Sequence, residues 1–192
     1  MSVPTFHVLI ATAGRPSLRI MLETIKHQLG SEDALTIVFD GSGVRVASGM
    51  NEKWLSGFHC PVNLVDQDPN LGSWGHGIRN RYQSKLTPET TFIMHADDDD
   101  TYAPYAFEKL RTLCVDKDTL YVAKMKRKND IIPTKPSIED GNIGTPCGIV
   151  PFKSSHLAQW GSEYGGDGEY YGKLKNHVKG VVFLDEIIYR VG

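Results

Sequence analysis

The sequence has few cysteines and no long apolar run. Its three cysteines, Cys60, Cys114 and Cys147, are far apart, odd in number and without the short spacing of a metal site. We interpret them as reduced thiols in a cytoplasmic protein. No apolar run approaches the ~20 residues that a membrane-spanning helix needs, and the N-terminus lacks the apolar core of a signal peptide. We therefore expect neither a membrane span nor a disulfide framework in this chain.

The sequence also lacks a strong charge of either sign. Its formal net charge is -2 at pH 7, which argues against a protein built mainly to bind nucleic acid. A hydrophobic fraction of 40% and a charged fraction of 23% are ordinary for a soluble globular protein. No repeat, low-complexity tract or linker divides the 192 residues, a length that suits one well-buried domain. We expect a single domain over residues 1–192.

The most informative stretch is residues 91–104, TFIMHADDDDTYAP. An apolar run at 92–94 predicts a buried strand, and four adjacent carboxylates follow at 97–100. Such acids repel one another, and a divalent cation would relieve the repulsion because hard cations prefer carboxylate oxygens. Acids at the carboxyl end of a buried strand also lie where open α/β sheets place their ligands. The alternative is a solvated acidic turn that caps the next helix through Asp100 or Thr101.

The apolar runs of the first half are continuous rather than alternating, which is typical of strands buried on both faces. Helical spacing of apolar residues separates them, first after Pro16. We predict strands at 6–11, 35–39, 62–65 and 92–94. This βαβαβ order predicts an α/β fold with a mostly parallel central sheet and helices on both faces. In the less regular second half we predict helices at 103–113, 154–160 and 165–176, strands at 120–125, 148–152 and 181–189, and a long loop at 131–144.

Four segments follow one another in a recognisable order. They are VLIATAGRP at 8–16, IVFDGSG at 37–43, NLGSWGHGIRN at 70–80 and FIMHADDDDTYAP at 92–104. With them the chain resembles the GT-A fold glycosyltransferases, most closely the large family-two type, which is mostly inverting. A fifth, weaker match is GGDGEYYGKL at 165–174. The resemblance implies a Rossmann-like GT-A domain whose residues 1–104 bind the nucleotide and whose residues 105–192 face the acceptor.

The resemblance also implies roles for individual residues. Asp40 would recognise the uracil ring, Asp99 would hold Mn2+ or Mg2+ with Asp97 close by, and Asp167 would be the catalytic base. The residues expected at the nucleotide are Thr12, Arg15, Asp40, Asn70, Gly72, Arg79, Asn80, Asp97 and Asp98.

The activity implied is a hexosyltransferase that moves a sugar from a UDP-sugar to a hydroxyl acceptor, a glycan or glycoconjugate, with inversion. Similar small enzymes occur in large algal viruses, so a viral origin, with the host cytoplasm as location, is part of the expectation. Membership of a longer polypeptide is also part of this expectation. It departs from the family at Gly166, where an acid is usual, and only His156 and His177 are candidates for a further metal ligand.

The residue types suit this chemistry independently of the resemblance. A metal held by Asp99 can neutralise a leaving diphosphate as a Lewis acid, and the glycine-rich loop or the basic cluster at 124–128 can add donors. A positioned carboxylate such as Asp167, with Glu169 in reserve, can take the acceptor's proton. Nucleotide binding would orient the donor for in-line attack.

Other interpretations remain open at this stage. A haloacid-dehalogenase-type phosphohydrolase would use Asp97 as nucleophile and Asp99 as acid/base, although its motif normally follows the first strand. A sugar-1-phosphate nucleotidyltransferase has a first loop richer in glycine than ATAGRP. A binding module could keep the nucleotide site without turnover. Asp40 alone could cap a turn, and Asp167 could be a helix N-cap.

Overall fold

The computed structural model describes residues 3–192, which form one mixed α/β domain. The strands are β1 (Phe6–Thr12), β2 (Ala34–Asp40), β3 (Val62–Gln67), β4 (Phe92–Asp97), β5 (Thr101–Tyr102), β6 (Thr119–Lys126), β7 (Ile131–Ile132), β8 (Gly148–Pro151) and β9 (Gly180–Arg190). The helices are α1 (Leu18–Ile25), α2 (Val44–Ala47), α3 (Glu52–Leu55), α4 (His76–Tyr82), α5 (Ala106–Leu113) and α6 (Gly166–Leu174). Across residues 3–192, no helix has the length and apolar character to cross a bilayer.

One curled sheet contains all of these strands, in the order β3-β2-β1-β4-β8-β6-β9-β5, with β7 beside β6. Strands β3, β2, β1 and β4 are parallel neighbours. Strand β8 then pairs antiparallel with both β4 and β6, and β6 pairs parallel with β9. The predicted α/β class with a mostly parallel sheet is confirmed, and the antiparallel strands are confined to the second half.

Helices cover both faces of the sheet, as the continuous apolar runs predict. Successive residues of β1 point to opposite faces, so Val8 and Ile10 pack in one core and Leu9 in the other. Met21 of α1 belongs to the first core and Ile78 of α4 to the second. All seven residues of β1 are buried, which fixes its position at the centre of the parallel half.

Some predicted boundaries were wrong. The helix expected over 103–113 begins only at Ala106, because Tyr105 has a φ of 61° that a right-handed helix excludes. The expected helix at 154–160 is a 3-10 segment, Phe152–Leu157. The expected loop at 131–144 contains β7, and β5 and α2 were not predicted, because elements of two to four residues are too short for a periodic pattern.

The parallel strands bring the ends of β1, β2 and β4 to one edge of the sheet, and two of these ends, those of β2 and β4, carry acidic residues. Residues Ala11 and Asp97 are paired across β1 and β4, and Thr12 lies opposite Phe39 of β2. The carboxyl ends of parallel strands form the crevice in which open α/β sheets bind ligands. The ends of β1, β2 and β4 therefore define one side of a site.

Candidate active site

A cavity of about 520 Å³ opens at this edge of the sheet. Its walls come from both halves of the chain, with Thr12, Asp40 and Asp99 on one side and Thr145 and Asp167 on the other. Most of the residues expected at a nucleotide line this cavity. Strands β8 and β6 extend the sheet beyond β4, and the second half of the chain thereby contributes to the same cavity.

Asp98 accepts hydrogen bonds from the loop that follows β1. Thr12 Oγ1 donates a hydrogen bond to Asp98 Oδ2 at 2.6 Å, and Arg15 Nη1 donates to Asp98 Oδ1 at 2.9 Å. The Asp98 side chain is only 3% exposed, so these donors replace the water that its carboxylate oxygens would otherwise contact. Thr12 Oγ1 also accepts from the amide of Gly14 at 2.8 Å. Asp98 therefore holds the loop in place, while the loop itself faces the cavity.

Asp97 is ion-paired with Arg79, a side chain with no exposed surface. Arg79 also donates to the carbonyl of Trp74 at 2.9 Å. The guanidinium thus ties the end of β4 to the glycine-rich loop. Arg79 was expected beside the nucleotide, but the structure places it behind Asp97 and outside the cavity wall.

Asp40 anchors the glycine-rich loop from the end of β2. Its two carboxylate oxygens accept hydrogen bonds from the amides of Leu71 at 2.7 Å and Gly72 at 2.9 Å. The side chain of Asn70 donates to the carbonyl of Asp40 at 2.7 Å. Asp40, Asn70 and Gly72 all line the cavity, so the carboxylate fixes the shape of this wall.

Asn80 has a structural partner instead of a place in the cavity. Its side chain accepts from the amide of Trp160 at 2.8 Å and donates to the carbonyl of Trp160 at 3.0 Å. The Trp160 ring stacks on Tyr170 at a centroid distance of 4.1 Å and meets His95 edge-on at 4.9 Å. Burial lowers the pKa of His95 well below its ordinary value. Asn80 thus connects α4 to the aromatic core beneath α6.

The acidic run offers two carboxylates to a cation. Asp99 is half exposed and pairs through Oδ2 with Arg15 at 2.7 Å, and Asp97 pairs through Oδ1 with Arg79. The other oxygen of each has no hydrogen-bond partner within residues 3–192. These hard oxygens fit Mn2+ or Mg2+. No group of three His, Cys, Asp or Glu side chains in the described chain could enclose the ion, so ligand oxygens would have to complete its shell.

The fourth acid, Asp100, also lines the cavity, but it is buried and accepts a hydrogen bond from within the chain. Burial raises its pKa to about 7, helped by the charges of Asp97 and Asp99 and opposed by a hydrogen bond from Gly192. That amide donates to Asp100 Oδ1 at 3.0 Å. Four adjacent carboxylates therefore have four different surroundings.

Asp167 lies on the opposite wall, in the first turn of α6. Its Oδ1 accepts a hydrogen bond from Thr145 Oγ1 at 2.5 Å, and His76 Nε2 lies 3.6 Å from the same oxygen. Glu169, the reserve base, pairs with Lys173 at 2.5 Å and does not line the cavity. Asp167 is the acid of this helix that faces the cavity.

No protein-family model matches this chain, and no curated protein matches its sequence. Solved structures do match. TarS 1-349 of S. aureus gives a TM-score of 0.71 at 16% identity over 97% of this chain, and its complex with UDP gives 0.73 at 14% over 97%. The mannosyltransferase PcManGT from Pyrobaculum calidifontis, in complex with GDP-Man and Mn2+, gives 0.72 at 11% over 99%. The chain spans 60% of the matched TarS chains and 57% of the PcManGT chain.

The fold is of the GT-A type. The identities are too low to carry more than the fold. The topology agrees with this fold, and residues at the strand ends of the parallel half and in the first turn of α6 line the same cavity.

Among the residues that line the cavity, His76, Thr145 and Trp74 were not predicted to do so. His76 lies inside the third motif but was given no role, and Thr145 lies in a segment without a recognisable pattern. Trp74 and Tyr164 stand at the cavity wall, 63% and 87% exposed, with ring centroids 6.0 Å apart. Of the basic residues at 124–128, Arg127 lines the cavity. Neither of the histidines named as candidate metal ligands, His156 and His177, does so.

Proposed function

We propose that this chain is a metal-dependent glycosyltransferase that moves a sugar from a UDP-sugar to a hydroxyl of a carbohydrate or glycoconjugate acceptor, with inversion. The observation that carries the proposal is that Asp99, from the acidic run, and Asp167, from α6, line the same cavity of a GT-A fold. The first is suited to a leaving diphosphate and the second to an attacking hydroxyl. Residues 1–104 would bind the nucleotide and residues 105–192 the acceptor.

The nucleotide would lie along the loops that follow β1, β2 and β4. Asp40 would accept the N3–H of uracil with its spare lone pairs, next to Asn70 and Gly72. TarS has been solved in complex with UDP and PcManGT in complex with GDP-Man, so the choice of uridine rests on Asp40. The ribose would lie near Asp97, whose position is fixed by the ion pair with Arg79.

Asp99, with Asp97 close by, would hold Mn2+ or Mg2+ together with the donor's diphosphate. The bound cation supplies positive charge that stabilises the leaving diphosphate. Arg15 is half exposed and paired with Asp99, so it is near enough to the diphosphate to add charge. PcManGT in complex with GDP-Man and Mn2+ supports the presence of a metal.

Asp167 would act as the general base. As the acceptor oxygen bonds to the anomeric carbon, its hydroxyl proton passes to the carboxylate, and the bond from the anomeric carbon to the diphosphate breaks with its electron pair on the diphosphate. Asp167 lies in the first turn of α6, where the partial positive charge of a helix N-terminus interacts favourably with an acidic side chain. Attack from the face opposite the diphosphate inverts the anomeric configuration.

The phosphohydrolase alternative fits less well. Its nucleophile would be Asp97, whose carboxylate is already ion-paired with the buried Arg79.

The proposed glycosyl transfer would take place in the cytoplasm, or in the host cytoplasm for a virus-encoded protein. The free and buried state of Cys60, Cys114 and Cys147 supports this location.

The test is incubation with Mn2+ and a panel of UDP-glucose, UDP-galactose, UDP-N-acetylglucosamine and GDP-mannose, each with a set of sugar acceptors, and measurement of the nucleotide diphosphate released. A phosphomonoester in the same panel, assayed for released phosphate, would detect a phosphatase. Asp167→Asn should lower turnover roughly 100- to 10,000-fold with little change in UDP affinity. The matched control, Glu169→Gln, should remain active. A fully active Asp167→Asn, or a product of retained configuration by NMR, contradicts the proposal.

A further inference from the structure

The Asp167 carboxylate is held through one of its two oxygens. Thr145 Oγ1 donates a hydrogen bond to Oδ1 at 2.5 Å. His76 Nε2 lies 3.6 Å from the same oxygen, beyond hydrogen-bond distance, and attracts the carboxylate only when both ring nitrogens carry a hydrogen. Within residues 3–192, no hydrogen bond reaches Oδ2. The two oxygens therefore have different surroundings.

The ring of His76 is fixed in an orientation that turns Nε2 to Asp167. Its Nδ1 lies 2.8 Å from the carbonyl oxygen of Gly161. A carbonyl only accepts hydrogen bonds, so Nδ1 carries the hydrogen and donates it. The ring also packs against Trp160 at a centroid distance of 5.2 Å, and the residue is 4% exposed. Little rotation is open to it.

His76 also accounts for the glycine that stands before Asp167. A Cβ at Gly166 would lie 2.7 Å from His76 Nδ1 and 2.7 Å from the carbonyl oxygen of Gly161. Any side chain at this position would displace the imidazole. The close packing of His76 and of the Gly161 carbonyl therefore requires a glycine at position 166.

Thr145 is immobilised from the other side. Tyr171, which has no exposed surface, donates its hydroxyl hydrogen to the carbonyl oxygen of Thr145 at 2.5 Å. Thr145 itself is 7% exposed and begins a 3-10 turn, Thr145–Cys147. Its hydroxyl is thus presented to Asp167 by a rigid segment.

We propose that Thr145 and His76 are positioning residues that fix the Asp167 carboxylate through Oδ1 and leave Oδ2 as the atom that takes the acceptor's proton. The inference rests on the proposed function, in which Asp167 is the base. A general base must stand within hydrogen-bond reach of the proton that it removes, and a displacement of about 1 Å can cost roughly 100-fold in rate. Neither residue needs to touch the donor.

The experiment compares variants that differ in one contact. Thr145→Val removes the hydroxyl and keeps the shape, whereas Thr145→Ser keeps the hydroxyl. His76→Asn keeps a nitrogen near Nδ1 for Gly161 and removes the one that faces Asp167. The matched controls are Thr112→Val on α5 and His156→Asn, both at exposed positions outside the cavity. The probes are UDP in calorimetry and, in turnover, the donor and acceptor preferred in the panel above.

We expect Thr145→Val and His76→Asn to lower kcat about 10- to 100-fold while the donor KM and UDP affinity stay within about twofold of wild type. Thr145→Ser should recover most of the lost kcat. Added to Asp167→Asn, Thr145→Val should cost nothing further, because groups that act as a unit are not additive. Both controls should match wild type.

Three other outcomes would contradict the inference, and they can be told apart. Wild-type kcat in Thr145→Val and His76→Asn, beside an inactive Asp167→Asn, overturns the positioning role and leaves the proposed function intact. Full activity of Asp167→Asn removes both. Loss of UDP affinity or of folding in Thr145→Val, without recovery by serine, assigns the two residues a purely structural role and overturns the inference.

Discussion

Asp97 pairs with Arg79, whose side chain is completely buried, whereas Asp99 pairs with Arg15, whose side chain is 53% exposed. Breaking a buried pair leaves an uncompensated charge and is costly. An exposed pair contributes at most about 1 kcal/mol. Of the two acids, Asp99 is therefore the one that can exchange its partner for a cation.

Asp99→Asn should abolish the metal-dependent part of UDP binding, because it removes the carboxylate that is free to accept the ion. Calorimetric titration of UDP with Mn2+ and with EDTA measures that part directly. Asp185→Asn is the matched control, since Asp185 is an exposed acid paired with Lys124 outside the main cavity. Equal UDP affinity of the wild-type protein in Mn2+ and in EDTA contradicts the metal assignment.

The wild-type protein should bind UDP more tightly than CDP, because cytosine has no N3–H to donate to Asp40. Asp40→Ala should reduce UDP affinity by roughly 10-fold, the order of one hydrogen bond to a charged group, and narrow the difference. Asn70→Ala removes the bond to the Asp40 carbonyl without touching the carboxylate, so it should weaken UDP and CDP alike. The assignment is wrong if wild-type protein does not discriminate between the two nucleotides.

Two helical glycines should respond oppositely to alanine. A Cβ at Gly172 in α6 meets no atom within 4 Å, and one at Gly77 in α4 lies 2.7 Å from Leu71 Cβ. Gly172→Ala should stabilise the protein by up to about 1 kcal/mol, and Gly77→Ala should destabilise it by about 1–3 kcal/mol. Urea midpoints at constant m-value measure both. A stabilised Gly77→Ala would contradict this prediction and would mean that Leu71 can move away from the added methyl group at little energetic cost.

The buried His7 should make stability depend on pH. Burial lowers its pKa to about 4 in the folded protein, against about 6.5 when unfolded. The unfolded state therefore binds more protons between these values, so the contribution of His7 is complete above pH 6.5 and is lost as the pH falls towards 4. The full loss is of the order of 3 kcal/mol.

The comparison for His7 is His7→Gln, because glutamine does not titrate. It can still donate to the carbonyl of Pro88 and accept from Thr36 Oγ1, the two partners of the imidazole at 3.1 and 2.8 Å. Urea unfolding from pH 7.5 to 4.5 should show a smaller fall in free energy for the variant. If the free energy of unfolding falls equally with pH in the wild type and in His7→Gln, folding does not lower the pKa of His7.

The central strands could be predicted because burial on both faces leaves a signal in the sequence. Strands β1 and β2 are continuous apolar runs and were predicted to within one residue at each end, whereas β4 was predicted at the correct start but three residues too short. Strands β5 and β7 have two residues each and exist through pairing with β9 and β6. Pairing with a distant segment leaves no local pattern.

The site residues likewise divide into those placed by a local sequence pattern and those placed by contacts with distant segments. Thr12, Asp40 and Asp97 end parallel strands, so their common edge followed from the strand order. The inward turn of Arg79 and the bond from Thr145 to Asp167 depend on packing between segments far apart in the chain. No spacing or motif could have predicted them.

The tryptophans give the molecule a built-in optical signal. Trp160 is 3% exposed and enclosed by aromatic rings beneath α6, whereas Trp74 is 63% exposed at the cavity wall and Trp54 is intermediate. Their emission should therefore differ in wavelength, since one indole is in a dry environment and another is in water. Trp74 is also held to Arg79 through its carbonyl. The red edge of the fluorescence spectrum thus reports on the entrance of the cavity and the blue edge on the core beside it, without an attached dye.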